Sequence, residues 1–76
     1  MSYYKEAAKA ARWIDGQMKQ VLEGNQLNIS ETILKGTAMF EIGEQVIRKR
    51  IDHWKNAVPR IKELENDLYY ELEEGP

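Results

Sequence analysis

Six apolar side chains in the first third of the chain, Tyr4, Ala7, Ala11, Ile14, Met18 and Val21, recur at alternating steps of three and four residues. That spacing lines one stripe of an α-helix and does not fit the two-residue period of a strand. The period returns in Ile33, Gly36, Phe40, Gly43, Ile47, Ile51 and Trp54, broadened by Met39, Ile42 and Val46, and again in Ile61, Leu64, Leu68 and Leu72. A chain patterned this way from end to end is expected to be all-α. Its composition agrees, because Ala, Glu, Lys, Leu and Ile are frequent and the only prolines are Pro59 and Pro76.

The breaks in the pattern set the expected boundaries. A first helix runs from about Tyr3 to Glu23, with Ser2 as N-cap. It passes through Asp15-Gly16 because the stripe stays in phase on the far side, and it ends at Gly24, a residue suited to the left-handed C′ position. A second helix is expected from Ser30 to Trp54. Its start is set either by Asn28 and Glu31 as a capping box or by Ser30 as N-cap with Ile29 and Leu34 as a staple. Val58-Pro59 ends it, since proline cannot donate to the preceding turn and pushes its predecessor out of helical geometry. A third helix, capped by Asn56, then runs from about Pro59 to Glu73 and stops at Gly75-Pro76.

Seventy-six residues form one domain, 1–76, and a domain of this size buries only about 60% of the surface its unfolded chain exposes. A second helix of about 26 residues would span roughly 40 Å, against roughly 30 Å for the first, and its apolar arc is too broad for one neighbour. The expected architecture is therefore a small helical bundle of two long helices plus a shorter C-terminal one, completed by homodimerisation into a four- or six-helix bundle. Gly36, Phe40, Gly43, Ile47 and Trp54 are the expected packing residues of the second helix. An interior glycine weakens a helix by about 1 kcal/mol relative to alanine, so two on the apolar face point to close approach by the alanine-rich first helix.

Charge is segregated along the chain. Residues 1–47 hold five basic and six acidic side chains, residues 48–62 six basic and one acidic, and residues 63–76 six acidic and none basic. The basic block, Arg48, Lys49, Arg50, Lys55, Arg60 and Lys62, is the strongest chemical feature, and clustered cations of this kind can neutralise phosphates. Against a nucleic-acid role stand the scatter of Arg48, Lys49 and Arg50 around a helix and the absence of an accompanying RNA-binding motif. The acidic segment that follows is also able to pair with the block.

No catalytic, cofactor or metal site is expected. The chain has no cysteine, and the single histidine, His53, has Lys49 and Ala57 one turn away on either side in place of ligands. Glu41, Glu44, Glu63, Asp67 and Glu71 lack the Glu-x-x-His pairs of di-metal bundles. No apolar run approaches a membrane span and no secretory leader is evident, so a cytoplasmic location is expected and the Asn28-Ile29-Ser30 sequon reads as chance. The leading expectation is a non-enzymatic interaction protein (adaptor, inhibitor or assembly subunit) of the small accessory type common in phages, viruses and plasmids. Its expected partners are a second copy and another protein, met through Tyr3, Trp13, Tyr69 and Tyr70. The alternative is a nucleic-acid-binding regulator using the block from Arg48 to Lys62.

Overall fold

The computed structural model describes residues 3–65, and within that span the chain is helical with no strand. The Ser2 cap, the stripe positions Leu68 and Leu72, the Gly75-Pro76 stop and the aromatic pair Tyr69 and Tyr70 lie outside the described residues.

Helix α1, Tyr3–Leu22, buries Ala10, Ile14, Met18 and Val21 and runs unbroken through Asp15-Gly16. Its end is fixed as the glycine suggested. Gly24 takes φ +116°, its N–H donates to the Val21 carbonyl at 3.0 Å, and the Asn25 N–H donates to the Gln20 carbonyl at 3.1 Å. These two bonds make a Schellman closure. Tyr4 departs from the stripe and is exposed, in edge contact with Tyr3 in the first turn. Gly16 is helical with open space where a Cβ would stand. Gly16→Ala is therefore expected to stabilise the protein by about 0.5–1 kcal/mol, read as a rise in the urea midpoint at unchanged slope.

Helix α2, Ile29–Phe40, begins at Asn28, whose side-chain oxygen accepts the Glu31 N–H at 2.9 Å. Of the two possible starts the structure takes the asparagine cap.

The single helix expected from Ser30 to Trp54 is two helices. Helix α2 stops at Phe40, Glu41 adopts the left-handed conformation at φ 48° and ψ 49°, and Gly43 becomes the N-cap of helix α3, Glu44–Ala57. A left-handed glutamate is unfavourable by about 1–3 kcal/mol. The turn offsets this by burying Ile42 and letting α3 fold back on α2, so that Gly36 meets Ile47 and Ile33 shares a cleft with Ile51. Ile33, Gly36, Ile42, Ile47 and Ile51 of the apolar arc are thereby buried within one chain, while Met39 stays exposed.

Val58 closes α3, donating its N–H to the Trp54 carbonyl at 2.7 Å, and precedes helix α4, Pro59–Glu63, with the proline in its first turn. Val58 takes the cap position expected of Asn56, which lies inside α3. The third helix was expected to continue to Glu73. Helix α4 instead ends at Glu63, and Glu65 forms an isolated backbone bridge to Leu27. The core that unites the four helices is aliphatic: Ala10, Ile14, Met18, Val21, Leu27, Ile29, Ile33, Ile42, Ile47, Ile51 and Ile61 are buried, and no polar or charged residue is buried among the described residues.

Candidate functional site

The six cations of the basic block do not form one surface. Arg48 pairs with Glu44 one turn earlier on α3, and Lys55 pairs with Glu65 at 2.9 Å. Arg50 crosses to α1, where its guanidinium grips Asp15 through two parallel bonds, Nε to Oδ1 and Nη2 to Oδ2, each 2.9 Å. Lys49, Arg60 and Lys62 are exposed and make no ion pair among the described residues.

The contact around Asp15 has a third member, because the Trp54 indole N–H also donates to Oδ1 at 2.7 Å. Arg50 and Trp54 are one helical turn apart and so face α1 together. Their hydrogen bonds, Arg50's first, hold the Asp15 carboxyl below its ordinary value. Partial burial opposes the shift, and the charges of Arg50 and Lys19 add to the lowering. Asp15 in turn raises the Arg50 guanidinium above its ordinary value. The group is a structural clasp between α1 and α3 in which both Asp15 carboxylate oxygens are partnered.

The expected packing residues divide. Gly36 is buried, and a Cβ there would lie 2.9 Å from Ile47 Cδ1 and 3.1 Å from Trp13 Cζ3. Trp13 packs edge-to-face on Phe40, ring centroids 6.0 Å apart, so this tryptophan covers the flank of the core. Ile47 is fully buried, and Trp54 is half-buried against the core with its indole on Asp15. Gly43 is different: it is exposed, caps α3, and the nearest atoms to a Cβ there would belong to the side chain of Gln45 in its own helix. It owes its place to the turn and not to close helix packing.

Of the expected partner-binding residues, Tyr3 is exposed and sits edge-to-face on Tyr4 at 5.6 Å, Trp13 is half-buried as described, and Tyr69 and Tyr70 lie outside the described residues. Tyr3 stands at one end of an open groove of about 390 Å³ between α1 and α3. Ala11 and Val46 supply its apolar floor, and Lys49, Arg50 and His53 its rim. A second cleft, about 320 Å³, lies between the end of α1 and the start of α2. Five carboxamides line it, Gln17, Gln20, Asn25, Gln26 and Asn28. Three of them are engaged locally, Asn28 as the α2 cap and Asn25 donating to Gln20.

Sequence reasoning missed Asp15 as the partner of Arg50 and Trp54. The available signal was weak: a carboxylate next to the buried Ile14, and a cation and an indole spaced one turn apart on another helix. Among the described residues no three His, Cys, Asp or Glu side chains gather closely enough to hold a metal ion, and no helix is long and apolar enough to cross a membrane. Comparison with protein-family models, curated proteins and solved structures gives no match.

Proposed function

We propose that the protein is a non-enzymatic interaction module that receives protein side chains in the groove between α1 and α3. The observation that carries this reading is the chemistry of the groove: an apolar floor of Ala11 and Val46, an aromatic edge at Tyr3, and the polar side chains of Lys49, Arg50 and His53 on one rim. Apolar contact ringed by polar groups is how protein surfaces recognise one another, with tyrosine supplying much of the contact energy. Photo-crosslinking from a benzophenone side chain at position 49 tests it. Crosslinks to protein from that position, and not from the exposed control position 19 on α1, are expected. A pattern identical at both positions would overturn the reading.

A second reading, a nucleic-acid-binding regulator, is favoured by one observation, the exposure of Lys49, Arg60 and Lys62 without ion pairs among the described residues. It is the weaker of the two, because Arg48, Arg50 and Lys55 already hold carboxylates. It requires binding that weakens steeply with salt and disappears in a Lys49→Ala/Arg60→Ala/Lys62→Ala variant. No gel shift at low salt with DNA or RNA, single- or double-stranded, would remove it.

A further inference from the structure

Resting on the protein-interaction reading, we infer that the occupant of the α1–α3 groove is the acidic C-terminal segment, residues 66–76, of a second copy of this chain. The groove and the segment are complementary in two respects. Lys49 and His53 line the groove on α3, and Arg12, which is exposed and makes no ion pair among the described residues, adjoins the lining residue Ala11 on α1. Arg12 is on that side because it precedes Asp15 by three residues, and Asp15 faces α3 through its bonds to Arg50. Residues 66–76 carry Asp67, Glu71, Glu73 and Glu74 with no cation, interleaved with Leu68, Tyr69, Tyr70 and Leu72. They therefore supply carboxylates for the rim and apolar groups for the floor of Ala11 and Val46.

The place where the described chain ends argues for a second copy. Glu65 is held on Lys55 and bridged to Leu27. Lys55 is two residues from His53, so the two side chains leave α3 roughly 160° apart. The described chain thus ends on the side of α3 opposite the groove, and contact with its own groove would take a detour around the bundle. Between two chains, a two-fold exchange forms the same contact twice without that detour.

The test is the light-scattering mass of the full chain over a concentration series in four forms. These are the wild type, Arg12→Glu/Lys49→Glu in the groove, Glu71→Lys/Glu74→Lys in the segment, and all four changes combined. All should show the same helical circular dichroism, because Arg12 and Lys49 are exposed. The wild type is expected to be a dimer, each two-fold variant to dissociate at least tenfold more readily, and the combined variant to recover the dimer. A wild type that stays monomeric, a dimer indifferent to both reversals, or a combined variant without recovery would each overturn the inference. Crosslinks from position 49 to other proteins in a monomeric wild type would reject the self-docking alone and leave the interaction module standing.

Discussion

Replacing Gly36 with valine is expected to lower the unfolding free energy by about 3 kcal/mol, with the helical spectrum retained and the urea slope unchanged. The first added atom alone would sit 2.9 Å from Ile47 Cδ1 and 3.1 Å from Trp13 Cζ3. Neither neighbour is free to retreat. Ile47 is fully buried, and Trp13 is backed by Phe40. Overfilling a packed core is destabilising by about 1–3 kcal/mol, and a branched side chain belongs at the upper end because its methyl groups have few rotamers inside a helix. Gly36→Ala should show a smaller loss, since about 1 kcal/mol of improved helix propensity offsets part of the clash. Gly16→Ala, with the same propensity gain and open space around it, moves in the opposite direction. The pair separates the effect of crowding from that of backbone freedom.

Asp15→Ala is expected to lower stability by about 1–2 kcal/mol. It removes two charge-assisted bonds from Arg50 and one from the Trp54 indole, and leaves both donors facing a partly covered site. The figure stays below that of a fully buried ion pair because the Arg50 side chain is 37% exposed and water takes over part of its solvation. The pH dependence has a definite sign. The Asp15 carboxyl titrates lower in the folded protein than in the unfolded chain, where its value is about 3.9. Its contribution is therefore complete above that unfolded value and fades as pH falls through the lower, folded one. Urea midpoints of wild type and Asp15→Asn should differ by a constant amount near neutrality and converge below about pH 4. Curves that stay parallel down to the acid limit would show that the clasp does not carry the difference. A double-mutant cycle of Asp15→Ala with Arg50→Ala should give a coupling of about 1 kcal/mol.

What was legible in the sequence follows from which interactions are local. The helical period, the Gly24 terminus, the Asn28 cap and the Val58-Pro59 boundary depend on residues within one or two turns of each other, and all are in the structure. The break at Glu41 was not legible. A left-handed C-cap is ordinarily marked by glycine or asparagine, whereas here a glutamate is forced into it and the glycine stands two residues later, as the cap of α3. What decides the break is the burial of Ile42 and the fold-back of α3, which are tertiary effects that no local propensity reports. The pairing of the basic block was legible only in part, for a related reason. Its clustering along the chain is real, but Arg48, Arg50 and Lys55 leave α3 in different directions toward Glu44, Asp15 and Glu65. Linear proximity therefore did not report which carboxylate each cation faces. The groove was legible only in part. Tyr3 and Lys49 were among the expected contact residues, while Ala11, Val46 and His53 join them only once α1 and α3 are side by side.

The α2–α3 turn also bears on the order of folding. Because the chain doubles back at Glu41, Gly36 and Ile47 meet across about 11 residues, whereas the Asp15–Arg50 clasp closes a separation of 35. Closing the longer loop is entropically harder by about 1 kcal/mol. The helical hairpin of α2 and α3 should therefore form early, with α1 settling onto it and the clasp fastening last. In kinetic terms, substitutions at Gly36 should slow refolding. Those at Asp15 should leave refolding nearly unchanged and speed unfolding, which makes the clasp one brake on the opening of the native bundle.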